Sequence, residues 1–359
     1  MFFVLVLHVG GFIFLDEFKT LTLISFIGWF IEYLAIVAVN CFVLITGYLH
    51  CIKKNCFKGV LNLWFEVFFY SVGLTIAGFF LFRKTGLFSQ VSKVRVIFSF
   101  FSVFRGQYWF FTEYCGLFVL VPVLNIFVNS IDKETFKRLL VTVFLCFSLI
   151  PTGLLNGKVF NINNGYSTLW FVFLYLCGSY IKFYGVNYNK VGKYLVIYII
   201  TALLSTIIRL FLDYSEIIIL EKNVSKLTYF ISNYNQPLIF SSSVCLFLVF
   251  LNIRIKGNVA KKIIKFFAPL CFSVYLIHLN INFGRPWFTE DNFAKMVLFN
   301  FGNQNLGCYL LVVFGVSAIV FIVCCSIDYL RFQLFRVMKI KKIISKLSDR
   351  IDNKFKTCI

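Results

Sequence analysis

Apolar residues come in long runs along almost the whole chain, separated by short stretches that hold most of the lysines and arginines. A helix needs about 20 apolar residues to cross about 30 Å of hydrocarbon. By that ruler the sequence predicts spans near 1–16, 24–47, 60–82, 109–129, 136–155, 167–184, 193–212, 236–253, 267–284 and 307–330, ten in all. The expected fold is therefore all-α, a polytopic integral membrane protein. Two other stretches read as amphipathic. VSKVRVIFSFFSVF, inside the basic segment 83–105, predicts an interfacial helix on the outer side. The tail RFQLFRVMKIKKIISKLSDRIDNKF sets cations among Ile, Leu, Val and Phe at helical spacing, which fits a helix on anionic lipid or a solvated extension equally. The loops near 213–235 and 285–306 are too short for a soluble domain, and no repeat or low-complexity tract is present.

Composition removes the soluble classes. Of 359 residues 60% are hydrophobic, 20% aromatic and only 14% charged, which argues against the two or three soluble domains that length alone suggests. A formal charge of +20 would suit a nucleic-acid binder, but its distribution suits the positive-inside rule and anionic membrane lipid better, so no nucleic-acid partner is expected. Lys53, Lys54 and Lys58; Lys133, Lys137 and Arg138; Lys182, Lys190 and Lys193; Arg254 to Lys265; and Arg331 onward mark the cytoplasmic side. Both termini are expected there. The cysteines of the apolar runs, among them Cys41, Cys115, Cys146, Cys177, Cys245, Cys271, Cys308, Cys324 and Cys325, show no C-x-x-C pair and no zinc spacing. They read as small buried hydrophobes, with no disulfide framework and no metal. The first residues lack a basic n-region and a small-residue cleavage site, so no signal peptide is expected.

Polar residues inside the apolar runs carry the candidate chemistry. An ionisable group at membrane depth normally faces a protein interior or a watery cavity. The chain has three histidines, and all lie in or at the end of apolar runs: His8 in MFFVLVLHVGG, His50 at the end of span 2, and His278 in span 9. At about 1.5 Å per residue, His8 lies about 10 Å from Met1 and His278 about 17 Å into its span, so the two could meet near mid-membrane. Glu32, Asn40 and Thr46 fall in span 2, Glu66 in span 3, Glu113 and Asn125 in span 4, Arg209 in span 7 and Asn280 just after His278. For any one Glu or Asn, a helix–helix hydrogen bond or an interfacial position is as good a reading, and for Glu32 a better one. Gly47, in ITGYLH, reads as a site of close helix approach or a helix end.

Taken together these stretches resemble the membrane-bound acyltransferase-3 family, in particular its branch associated with O-acetylation of bacterial surface and exopolysaccharides. MFFVLVLH resembles the family's first helix, where a histidine follows an arginine after ten residues. VNCFVLITGYLH resembles its N-x-F-V-x-I-S-G-Y-x segment, with Thr46 where serine is usual. QYWFFTEYCGLFVLVPVLN resembles its W-F-x-x-x-Y-x-x-L-Y-x-x-x-P-x-L-N helix through Trp109, Phe110, Tyr114, Pro122 and Asn125. GYSTLWFVFLYLCGSYIKFY and NQPLIFSSSVCLFLVF resemble its sixth and eighth helices, and FSVYLIHLNINFGRPWF its Y-L-I-H segment, with Arg285 and Pro286 beyond it. The resemblance covers residues 1–330, a transmembrane domain, and leaves 331–359 as a basic cytoplasmic tail.

The resemblance implies transfer of an acyl group, usually acetyl, from acyl-CoA at the cytoplasmic side to a hydroxyl of a cell-surface or exopolysaccharide sugar or its lipid-linked precursor, with no metal. A sugar hydroxyl is a poor nucleophile at neutral pH, and an imidazole can take its proton during attack on the thioester or carry the acyl group. His8 is the expected base, with direct base catalysis favoured over an acyl-histidine, and His278 would orient substrate or stabilise charge. Trp109 and Tyr114 would shape the cavity, with Asn40, Glu113, Asn280 and Arg285 as further substrate contacts. Lys53, Lys54 and Lys58 could attract the CoA phosphates, although a positive-inside role explains them more simply.

There are departures. The family arginine would precede Met1, and KKNCFKGV stands where many relatives carry an arginine-rich motif. From Met1 to Leu15 an ideal helix covers about 22 Å, against about 30 Å of hydrocarbon, so the first helix is expected to be truncated by a start placed too far downstream or by loss of its first turns. The other classes that fit many spans and buried polar groups are a polysaccharide or lipid-linked oligosaccharide transporter and a polymerase. Neither the inverted repeats typical of the former nor the large external loop expected of the latter is found in the sequence.

Overall fold

The computed structural model describes residues 1–14, 22–53, 57–81, 93–185, 191–219, 231–281, 284 and 293–358, and among them the only regular structure is helical. In chain order the main helices are α1 (Phe2–Ile13), α2 (Leu23–Ala35), α3 (Ala38–His50), α4 (Phe57–Leu81), α5 (Lys93–Ser99), α6 (Trp109–Ser130), α7 (Lys133–Phe144), α8 (Ile150–Gly153), α9 (Thr168–Tyr184), α10 (Val191–Ile219), α11 (Pro237–Asn252), α12 (Asn258–Phe267), α13 (Cys271–His278), α14 (Phe293–Gly302), α15 (Leu306–Leu310), α16 (Ser317–Val337) and α17 (Ile340–Cys358). Local chemistry sets their ends. Thr22 and Ser25 form a reciprocal capping box before α2. Asp132 accepts from the Glu134 and Thr135 amides, Ser167 from that of Trp170, and Gln236 caps α11 just ahead of Pro237. The Thr135 hydroxyl, then the Thr135 and Glu134 amides, hold the Asp132 carboxyl below the usual carboxylate range.

Among the described residues six helices or continuous helical runs are long and apolar enough to cross a membrane: Leu23–His50, Phe57–Phe80, Trp109–Ser130, Lys133–Gly153, Val191–Ser215 and Leu306–Val337. The fourth joins α7 to α8 through a π-turn at Leu145–Leu149, and the last runs from α15 to α16 through another at Leu311–Val316. Phe2–Gly11, Thr168–Tyr184 and Pro237–Asn252 are apolar but shorter. Six of the ten expected spans thus coincide with helices of spanning length, and three coincide only with these shorter ones. The remaining one, 267–284, is broken into a 3-10 turn at Ala268–Leu270 and the eight-residue α13, ending at His278. Exposed faces match a lipid solvent: along α6, Val119, Leu120, Val123, Ile126 and Phe127 form one outward apolar stripe.

The chain weaves between two units, each containing parts far apart in sequence. The first comprises Met1–Phe14, Asn55–Thr112 and Ile255–Ile359, and the second Leu15–Lys54 and Glu113–Arg254. In the second unit α3 packs on α9, and α10 on α2 and α11. The α3–α9 contact is backbone against backbone. A methyl group added to Gly47 would lie 2.1 Å from the Tyr175 carbonyl oxygen, and one added to Gly178 would lie 2.2 Å from that of Leu44. Small residues let helices approach this closely, as expected of Gly47.

In the first unit α13 lies against α4 and α16, and α1 packs against α16 and its preceding π-turn. The expected interfacial segment forms only the short α5. Residues 82–92 lie outside the described part, while Ile97, Phe101 and Phe104 are exposed and the Arg105 guanidinium lies 3.7 Å from the Phe98 ring centre. The tail begins later than residue 331, because α16 continues to Val337 before Lys339 takes a positive φ. Then α17 packs on α4 and buries Ile344, Ser348 and Asp352, so it is no free solvated extension.

Candidate active site

His8 and His278 meet in the first unit. His8 Nδ1 lies 2.8 Å from His278 Nε2, with ring centres 5.1 Å apart, although 270 residues separate them. The packing of α1 through buried Val4, Leu5, Val6, Leu7 and Val9 fixes one partner, and the end of α13 fixes the other. His278 is itself buried, and its Nδ1 bonds the carbonyl oxygen of Val274 one turn back.

That last contact orders the protons of the pair. A carbonyl only accepts, so His278 Nδ1 must carry the hydrogen, and a neutral His278 then presents a lone pair at Nε2. His8 Nδ1 must in turn donate to it. The neutral His8 therefore carries its own lone pair at Nε2. The chain Val274 carbonyl, His278, His8 thus fixes the tautomer of both neutral rings.

The loop after His278 is tied down by groups with no remaining freedom. The Tyr108 hydroxyl donates to the Leu276 carbonyl at 3.1 Å and accepts from the Asn280 amide, also at 3.1 Å. Both side chains are buried. The Gly284 amide returns to the Asn280 carbonyl at 3.0 Å. The helix ends here because the Leu276 carbonyl is captured from outside it, a signal absent from the local apolar pattern.

The other expected site residues divide between the units. Asn280 and Trp109 belong with the histidines to the first; Asn280 braces the loop, and Trp109 makes an edge contact with Phe110. Asn40, Glu113, Tyr114 and Lys53 belong to the second unit. Asn40 is fully buried: its amide donates to the Tyr234 carbonyl and the Ser243 hydroxyl, and its oxygen accepts from the Trp170 indole at 3.1 Å. Thr168 donates to Glu113 at 2.6 Å, and the Tyr114 and Thr46 hydroxyls share a 3.0 Å bond. In the same unit Asn125 donates to the His50 carbonyl and accepts from Tyr175 at 2.5 Å. His50 Nδ1 bonds the Thr46 carbonyl, and the Lys53 ammonium lies 3.5 Å from its Nε2. Lys58, in the first unit, is exposed, whereas Lys54 and Arg285 lie outside the described residues.

The sequence placed Glu66 among the polar residues of the apolar runs but did not single out Tyr108, Tyr70 or Asp328. Tyr70 donates to Asp328 at 2.7 Å, and Arg331 forks onto Asp328 with two bonds of 2.8 Å while pairing with Glu66 at 3.1 Å. Arg331, expected to open a basic tail, is instead buried in this network. The D-x-x-R spacing on α16 was the available signal. The described cysteines are free thiols.

Apolar helices of spanning length define a multi-pass membrane protein, and one unit holds a pair of histidines of which His278 is buried and His8 half-buried. Residues 1–331 match the acyltransferase-3 family, described as an acyltransferase domain, and the chain belongs to that family. No curated protein and no solved structure matches it.

Proposed function

We propose that the protein is an O-acyltransferase that moves an acetyl group from acetyl-CoA to a hydroxyl of a cell-surface or exopolysaccharide sugar, or of its lipid-linked precursor. It works in the cytoplasmic membrane of a bacterium with both termini on the cytoplasmic side. The family membership supports acyl transfer over transport or polymerisation. The observation that carries the mechanism is the 2.8 Å contact between His8 Nδ1 and His278 Nε2, with His278 anchored on Val274.

In the reaction, His8 Nε2 takes the proton of the acceptor hydroxyl as its oxygen attacks the thioester carbonyl. The C–S bond then breaks, and the proton passes from the His8 imidazolium to the departing CoA thiolate. During the step His278 Nε2 accepts a hydrogen bond from the cationic ring, which steadies the charge and the ring plane together. The exposed Lys53 and Lys58 are suited to attract the CoA phosphates by charge alone.

The test is acetate content of surface polysaccharide, read by NMR from a deletion strain complemented with each variant. His8→Ala is expected to abolish one O-acetyl signal while the protein still accumulates in the membrane, and His278→Ala to cause a large loss. Full acetate content with His8→Ala would sink the proposal.

A further inference from the structure

In the first unit, α4 and α16 are cross-linked twice by charge. Tyr70, one turn after Glu66 on α4, donates to Asp328, while Glu66 meets Arg331 one turn after Asp328 on α16. Arg331 and Asp328 are 5% and 0% exposed, so neither charge is screened by water. Glu66 divides its two oxygens: Oε1 pairs with Arg331, and Oε2 faces the Ser273 hydroxyl at 3.5 Å, a long contact past the usual O–H···O distance of about 3.0 Å. Ser273 is fully buried on α13, one residue before the Val274 carbonyl that orients His278. The helix that carries His8 packs on the same α16.

A buried ion-pair network is weak evidence for stability, because desolvation offsets most of its attraction. It does fix geometry, since a planar guanidinium forked on a carboxylate has one arrangement. Tyr108 anchors the far end of the eight-residue α13 at the Leu276 carbonyl, Ser273 faces Glu66 near its start, and the register of the helix decides whether His278 reaches His8.

We propose that Glu66, Asp328 and Arg331, with Tyr70, are positioning residues: a buried charge clamp that sets the register of α13 through Ser273 and thereby holds His278 in bonding distance of His8. The proposal rests on the acyl-transfer reading of that pair. The clamp touches no substrate and acts through the histidines.

With three histidines in the chain, isotope labelling of histidine nitrogens resolves each ring in the full-length protein in lipid bilayers. The wild type is expected to show a correlation between His8 Nδ1 and His278 Nε2 and a single tautomer for each. In Glu66→Gln and Ser273→Ala that correlation is expected to be lost, because a bond bent below about 120° weakens steeply. A second tautomer of His278 accompanies the loss, and the His50 signals stay in place. Ser273→Thr, which keeps the hydroxyl, restores the wild-type pattern. If Glu66→Gln does not accumulate, Ser273→Ala carries the test. An unchanged correlation in the variants overturns the clamp. Full acetyl transfer by His8→Ala would overturn the reading beneath it instead, and the spectra separate the two because they require no turnover.

Discussion

A single methyl group at position 284 reaches the histidine pair through the backbone of His278. Built on Gly284, the added carbon lies 2.2 Å from the Ile277 carbonyl oxygen and 2.6 Å from both Cα and carbonyl oxygen of His278. All three are backbone atoms, so no side-chain rotation relieves the clash. Restoring ordinary contact near 3.5 Å requires a shift of about 1 Å. Moved by that much along its length, the 2.8 Å bond from His8 to His278 no longer meets hydrogen-bond geometry. A misplacement of this size costs about 100-fold in rate, or about 3 kcal/mol of transition-state stabilisation. Gly284→Ala is therefore expected to lower acetyl transfer about 100-fold per folded molecule. The assay is initial O-acetyl incorporation in membranes, normalised to monodisperse protein recovered from them. Transfer within about twofold of wild type, a barrier change under about 0.5 kcal/mol, would refute the link between this loop and the catalytic pair.

Two further variants test the scaffold. Tyr108→Phe leaves the buried Leu276 carbonyl and Asn280 amide without their shared hydroxyl. It is expected to cost about 1–3 kcal/mol, read as a lower unfolding midpoint in detergent, and an unchanged midpoint would contradict the role given to this bond. Gly178→Ala drives a methyl group into the Leu44 carbonyl and the Tyr48 amide of α3. A loss of about 1–3 kcal/mol is expected, with His8 signals unaltered because the change lies in the other unit; a wild-type melt would show that α3 and α9 separate freely.

The histidine pair was legible in the sequence because an ionisable residue in an apolar run is rare and needs a partner. Its depth along each predicted helix even suggested which two would meet. The length of α13 was not legible. Residues 267–284 stay apolar past His278, and the event that ends the helix is a bond from Tyr108, far away in sequence. Hydropathy reads a residue's preference for lipid, not the capture of its carbonyl. Arg331 shows the same limit: beside other cations it reads as part of a basic tail, and its partner Glu66 lies on α4, far away in sequence. Asn40 was noticed as polar, but its partners Trp170 and Ser243 lie 130 and 203 residues on. Gly47 was legible because close approach leaves a local trace, the absence of a side chain.

The separation of His8 and His278 by 270 residues has a consequence for how the protein is made. At about 5–20 residues per second, a ribosome takes roughly 14–54 s to travel from one to the other. During that interval the first helix must wait in the bilayer with an imidazole and no imidazole partner, while the whole second unit is synthesised. The histidine pair cannot form until most of the chain has left the ribosome, and insertion factors that shelter polar helices have a long window in which to act on α1.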